Sequence, residues 1–228
     1  MPDENHSRRT PLIPLAPLVD ELRGRGEAAC RFSGGHTYYA EEVSLFRDFA
    51  EENDLFLGER PVEIERPCDN EGNEHKVWFI EDRNVYLKIT WPNFFGKLVV
   101  HRPDEAADAS PIQYLERWHL HNEIFGDNVE FAGVLESDDG LRLLIEQPAI
   151  AGLPADDTQI LEFFVSNGWY PFRIDKDVAF FDPDTNIAVS DAHPGNIIVM
   201  ADGLFASIDL RVQKLTSSEV EAIRPLFQ

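Results

Sequence analysis

Basic residues are scarce in this chain. Its 228 residues include 20 Lys+Arg against 42 Asp+Glu, a formal net charge of −22. A surface of that sign repels nucleic acid and anionic membranes and favours solubility, so direct binding to either polyanion is not expected. Cysteine is scarcer still. Cys30 and Cys68 are the only two, giving neither a disulfide framework nor metal-ligand spacing. Two reduced thiols suit a cytosolic protein, and a cytoplasmic location is the expectation. No stretch reaches the roughly 18 to 20 apolar residues of a membrane span. The opening "MPDENHSRRTPLIPLAPLVD" has no unbroken apolar run and its prolines interrupt a helix, so it does not read as a signal peptide. Internal repeats and low-complexity blocks are missing as well.

What is present can build a core. The chain is 43% hydrophobic and 11% aromatic, enough for one domain or two small lobes. Residues 1–16 read as a flexible tail and 17–60 as a helical N-terminal extension. Within it, "LVDELRGRG" carries Leu18 and Leu22 and is expected to stop at its glycines, while "YAEEVSLFRDFAEEN" sets Val43, Phe46 and Ala50 at helical spacing. From residue 61 the period changes to two. "PVEIER" alternates, and "HKVWFIED" with "NVYLKIT" predicts a hairpin around Glu81 to Asn84.

"SPIQYLERWHLHNEIFG" predicts a helix with Ser110 as N-cap, Pro111 at its first position and Gly126 as its stop. Two strands follow, "VEFAGVLES" and "LRLLIEQPAI", joined by Asp138-Asp139-Gly140. "DDTQILEFFVSNG", capped by Asp156 or Asp157, is the last clear helix before the short strands "NIAVS", "NIIVM" and "LFASIDL". The order predicts an α+β fold of two lobes: residues 61–150, an antiparallel sheet with one inserted helix, and residues 151–228, with "QPAIAGLPA" (147–155) as the hinge.

The chemistry-bearing stretch is "SDAHPGNIIVMADGLFASID", residues 190–209. Taken alone, Pro194-Gly195 is turn chemistry that joins two strands, and His193 reads as a turn-stabilising side chain. Phosphoryl transfer from ATP asks for more: a cation on the phosphates, an anion to hold it, oxygen ligands for Mg²⁺ and a carboxylate for the attacking hydroxyl. Each has a candidate here, in order. Lys88 sits late in an apolar strand, and Glu116 on the following helix, with Glu123 as its competitor. Asp191 and Asn196 share D-x-x-x-x-N spacing, and Asp209 ends the next strand. A lone strand lysine or helix glutamate is ordinarily a solvated surface charge. The joint order is what points to catalysis.

"SDAHPGN" followed by "ID" resembles the catalytic loop and metal-binding aspartate of the protein-kinase-like superfamily, and the D-x-H-P-G-N form is similar to aminoglycoside and choline phosphotransferases. The nearest resemblance is to the serine/threonine/tyrosine kinase domain found in polyvalent proteins of phages and mobile elements. Its Gly-x-Glu-His element corresponds to Gly72-Asn73-Glu74-His75, its loop to residues 189–196, and its last element to Asp202-Gly203 and Ile208-Asp209-Leu210. The likeness runs over about residues 60–213. It implies a reduced bilobal kinase-like fold with a short, truncated C-lobe.

In that resemblance Asp191 is the catalytic carboxylate, Asn196 and Asp209 hold Mg²⁺ (or Mn²⁺), and Lys88 contacts the α/β-phosphates and pairs with Glu116. Gly72, Asn73, Glu74 and His75 form a reduced phosphate-covering loop, and Glu146 and Gln147 offer hinge backbone to the adenine of ATP. There are departures. One glycine stands where kinases have a glycine-rich loop, Val189-Ser190 replaces the usual His-Arg, and Asp209-Leu210-Arg211 lacks a glycine hinge. The chain ends at Gln228, soon after Asp209, so little peptide-docking lobe is expected. The acceptor is then a small hydroxyl compound, the protein itself or one dedicated partner. Two readings from different classes stay open: an ATP·Mg²⁺-dependent phosphotransferase acting on a hydroxyl, and a weak or inactive kinase-like scaffold whose acidic surface binds a protein partner or mimics DNA. Nucleotidyl transfer by the same fold is a third.

Overall fold

The computed structural model describes residues 12–32, 39–101, 107–174 and 177–227. The architecture is mixed α+β with antiparallel strand pairing. The chain divides into two compact units, Met1–Phe95 with Val129–Gln147, and Gly96–Asn128 with Pro148–Gln228. Among the described residues, no helix is long and apolar enough to cross a membrane.

The first unit contains β1 (Ile13–Pro14), α1 (Leu15–Phe32), α2 (Tyr39–Glu52), β2 (Asn70–Glu71), β3 (His75–Ile80), β4 (Val85–Thr90), β5 (Glu130–Ser137) and β6 (Gly140–Pro148). The six strands form one sheet in the order β1-β5-β6-β4-β3-β2. Trp78, Ile80, Leu87, Ile89 and Leu144 make an apolar cluster against which Leu57, Ile64 and Cys68 pack. In the β3–β4 register Val77 lies opposite Lys88. Strand alternation therefore puts Lys88 on the sheet face away from Leu87 and Ile89.

Two local expectations fail here for the same reason. Helix α1 does not stop at Gly24 and Gly26 but runs on to Phe32. Each glycine costs about 1 kcal/mol relative to Ala in a helix, yet Leu15, Leu18, Val19 and Leu22 are buried along one face. Arg25 adds bonds to Glu21 and to Glu52 of α2, 2.7 Å each. "PVEIER" is no strand: Val62–Ile64 is a 3₁₀ turn, and Val62 is 63% exposed. Its alternation had no sheet partner to satisfy. At Gly133 the β5–β6 register shifts, and φ is +127°. A Cβ there would lie 2.8 Å from Leu57 Cδ2, so glycine is what lets the segment carrying Leu55 and Leu57 bond to both sides of Val134 (Val134 N–H to Leu55 O 3.0 Å, Leu57 N–H to Val134 O 2.8 Å).

The second unit contains α3 (Pro111–Phe125), β7 (Leu153–Pro154), α4 (Asp157–Ser166), β8 (Tyr170–Ile174), β9 (Asp177–Asp182), β10 (Ile187–Ser190), β11 (Ile197–Val199), β12 (Phe205–Ser207), β13 (Arg211–Lys214) and α5 (Ser217–Ile223). Helix α3 has the expected ends. Ser110 accepts from the Gln113 N–H in a capping box, Pro111 follows, and Gly126 closes it in the left-handed conformation.

The short strands assemble into a four-stranded sheet, β13-β10-β9-β8, and a three-stranded one, β12-β11-β7, in which β11 and β12 form an antiparallel hairpin. The larger sheet is buried on both faces. Phe180, Ile187, Val189 and Val212 pack with Ile160 and Phe164 of α4 and Leu120 of α3. Their neighbours Ala179, Phe181 and Ala188 pack with Ile223 of α5 and with Val99 and Val100. The aromatic crowd at 163–172 is mostly core. Phe164 stacks on Phe180 at 4.1 Å and Phe163 on Phe205 at 4.9 Å, while Tyr170 stays 54% exposed.

The segment before β2 is held by one exposed ion pair. Arg66 donates to both Asp69 carboxylate oxygens (2.7 and 2.8 Å) and to Phe79 O, and Asp69 accepts from Phe79 N–H. The Arg66 guanidinium first, and the Phe79 N–H second, lower the Asp69 pKa to about 2. A depressed carboxylate stabilises the fold above its unfolded pKa and loses that contribution as pH falls through its folded value. NMR titration should therefore find the Asp69 carboxyl near 2, and Arg66→Ala should return it toward the ordinary range.

Candidate active site

The loop between β10 and β11 is not a hairpin turn, because the two strands belong to different sheets. Ser190 ends one sheet and Ile197 opens the other, so residues 191–196 are a crossing. Asp191 takes φ +62°, a left-handed conformation that Asp and Asn tolerate better than most side chains. His193 stabilises the turn as expected, its Nδ1 accepting from Gly195 N–H at 3.0 Å.

Asn196 ties the crossing together. Its Nδ2 donates to the Asp191 carbonyl (2.9 Å) and to the Asp209 carbonyl (3.2 Å). Its own backbone accepts from Ile208 N–H at 3.0 Å. Only an NH₂ group can satisfy two carbonyl oxygens, which fixes the orientation of the amide. Asp191, Asn196 and Asp209 are thus brought together by a single side chain.

Asp209 follows β12 and is held by Arg117 of α3. The guanidinium Nη2 lies 2.9 Å from Asp209 Oδ1 and 3.3 Å from the Asp209 carbonyl, and Nε donates to the Leu210 carbonyl at 2.9 Å. Leu210 is buried in the core, and β13 starts at the next residue, with Arg211 opposite Ser190. The Arg211 guanidinium therefore arrives 3.7 Å from Asp191 Oδ2, while His193 Nε2 is 3.8 Å from Oδ1. One turn beyond Arg117, His121 meets Ser207 (Nε2 to Oγ, 2.9 Å) and Asp127 (Nδ1 to Oδ2, 3.4 Å). Sequence reasoning missed Arg117 and His121. The signal was there: both fall in the stripe with Tyr114 and Trp118, the buried face of α3.

The other predicted residues are distributed as follows. Glu116 is half-buried on α3 and lines a cavity of about 220 Å³ with Arg117, Gln113, Gln213 and Glu219. Its competitor Glu123 is mostly solvent-exposed, 3.6 Å from His119. Lys88 is buried on β4 in the first unit. There, Gly72, Asn73 and Glu74 form the turn between β2 and β3, closed by the bond from Gly72 N–H to His75 O (2.8 Å), and His75 opens β3. Trp91 Nε1 donates to Gly72 O at 3.1 Å, leaving Gly72 and Asn73 exposed and Glu74 and His75 buried. Glu146 and Gln147 are both buried near the end of β6, and the Glu146 carboxylate pairs with Arg83, which also reaches Glu63 at 3.2 Å.

Hard divalent cations take oxygen ligands, and Mg²⁺ is commonly held by one or two carboxylates together with substrate phosphates and water. No group of three His, Cys, Asp or Glu side chains gathers for a metal among the described residues. The donor set fits the sparser pattern. Asn196 has its NH₂ end spent on carbonyls, which leaves an amide oxygen as its remaining group, and Asp209 adds a carboxylate.

The family described as serine/threonine/tyrosine kinase found in polyvalent proteins matches residues 39–216. The match begins with α2 and ends just past β13, wider than the stretch that carries the motifs. No curated protein and no solved structure matches the chain.

Two expected outcomes follow from this geometry. Asn196→Asp retains an oxygen ligand but sets a carboxylate against two carbonyl oxygens, and should lower stability by about 1–3 kcal/mol in chemical denaturation. Gly72→Ala should leave the melting temperature unchanged, since an added Cβ meets nothing closer than the His75 carbonyl at 3.7 Å. Any loss of nucleotide affinity in Gly72→Ala then reports crowding of the ligand rather than of the fold.

Proposed function

The chain belongs to the family of serine/threonine/tyrosine kinases found in polyvalent proteins, and on that premise we propose that it is an ATP- and Mg²⁺-dependent phosphotransferase acting on a hydroxyl of a protein or small molecule. The observation that carries the proposal is the Asn196 amide, bonded to the backbone of both Asp191 and Asp209. It supports a site in which a proton acceptor and two metal-ligand candidates share one frame.

Asp191 accepts the proton of the attacking hydroxyl and orients its oxygen toward the γ-phosphorus. Its partial exposure and the Arg211 and His193 side chains nearby leave it on a polar surface that a substrate reaches. Asn196 and Asp209 hold the divalent ion, Mg²⁺ or Mn²⁺. When bound, such an ion neutralises charge on the phosphate oxygens during transfer. In this reading Lys88 takes the α/β-phosphates and Glu116 is its counter-ion. The exposed Gly72 and Asn73 cover the phosphates, and the backbone at Glu146 and Gln147 receives the adenine. The Glu146 side chain is committed to Arg83.

Two observations favour a second reading, a kinase-like scaffold that binds a protein partner through its acidic surface or imitates DNA. These are the net charge of −22 and the arginine already seated on Asp209. Thermal unfolding separates the two readings. ATP with Mg²⁺ or Mn²⁺ at ~100 times Kd should stabilise the protein by roughly 2.7 kcal/mol, and Asp209→Ala should abolish the gain. Labelling from radiolabelled ATP should depend on Asp191. No stabilisation at millimolar nucleotide, with either metal, favours the scaffold.

A further inference from the structure

The kinase reading assigns roles to Lys88, Glu116, Asp191, Asn196 and Asp209, and leaves Arg117 without one. Arg117 is 5% exposed, and a guanidinium is kept in an interior only where its donors and charge are answered. Here they are answered by three consecutive features of one segment: the Asp209 carboxylate, the Asp209 carbonyl and the Leu210 carbonyl. The planar fork of arginine suits this. It fixes the direction of the carboxylate as well as its charge, which a lysine point charge does not.

The surroundings remove other sources of freedom. Ser207, two residues before Asp209, is bonded to His121, one turn along the same helix. Leu210 is packed in the core, and no glycine follows Asp209. The stretch 207–210 is thus suspended from one face of α3 at both ends.

We infer that Arg117 is the positioning residue of the Asp209 carboxylate: it holds the metal-ligand oxygen in one orientation and, by compensating its charge, weakens its attraction for a divalent cation. This rests on the reading of Asp209 as a metal ligand. The two effects oppose each other in affinity, and that opposition separates positioning from mere support of the fold. Losing a structural contact loosens the segment and weakens everything bound to it. Removing a compensating cation loosens the segment and strengthens the pull on the metal.

The test uses the full chain, Mn²⁺ alone as probe, electron paramagnetic resonance for its affinity, and hydrogen exchange of the amides at 207–212. Arg117→Met should accelerate that exchange, bind Mn²⁺ at least about tenfold more tightly, a floor for removing a unit charge beside a divalent ion near a protein surface, and lower the rate of phosphoryl transfer. Arg117→Lys, which keeps the charge and is the safer variant for folding, should accelerate exchange with Mn²⁺ affinity close to that of the unaltered protein. Unchanged or weaker Mn²⁺ binding in Arg117→Met overturns the inference, as does unaltered exchange in either variant. Asp209→Asn serves as the reference. If Mn²⁺ binding to the unaltered protein does not depend on Asp209, the assignment of Asp209 as a metal ligand fails, and the charge-compensation half of the inference fails with it. The exchange rates still decide whether Arg117 holds the segment.

Discussion

Asn196 makes the two hydrogen bonds on which the site depends. Strands β10 and β11 belong to different sheets, and the chain crosses between them in six residues that include a left-handed Asp191. Such a crossing leaves carbonyls with no ladder partner, and buried or half-buried carbonyls must be paired. Asn196 pairs two of them, one from the crossing and one at Asp209, just past β12. The same bonds that satisfy the backbone place three oxygen-bearing side chains in one frame. Local stability and site geometry therefore come from a single amide.

Helix α3 does comparable service from the other side of Asp209. Its buried stripe is mixed, with Tyr114 and Trp118 beside Arg117 and His121. The polar pair replaces apolar contacts worth about 1.5–3 kcal/mol per fully buried side chain, so the helix gives up packing for directed bonds. Stability alone does not favour that exchange. Fixing the short stretch Ser207–Leu210 in one position does account for it, because Ile208 and Asp209, between the end of β12 and the core Leu210, belong to no strand.

The excess of acidic residues sharpens the contrast with the surface. Arg25, Arg47 and Arg66 pair with Glu21 and Glu52, Glu136 and Asp69 at partly or largely exposed positions, where an ion pair contributes about 0–1 kcal/mol. These pairs trim a repulsive surface. Arg117 and Arg83 are different, since each meets its carboxylate in a more buried setting. In a chain with 20 basic residues, the arginines with structural consequence are those whose ion pairs are taken out of water.

The sequence by itself determined what local chemistry can encode. Period-two alternation placed β3 and β4, the Ser110, Pro111 and Gly126 signals bounded α3, and D-x-x-x-x-N spacing with a strand-end aspartate marked Asp191, Asn196 and Asp209. Each of these signals is read from one short stretch of chain or from two stretches close together in sequence. Tertiary structure decided the rest. Helix α1 passes its glycines because a distant apolar surface covers Leu18 and Leu22, and "PVEIER" is a turn because no strand lies beside it. The strands around "HPGN" enter separate sheets, since each is short and its partner is chosen by packing on both faces. Arg117 and Asp209 stand 92 positions apart, and no local pattern links them. Their pairing exists only once α3 has been laid against β13, where a buried charge has to find its complement.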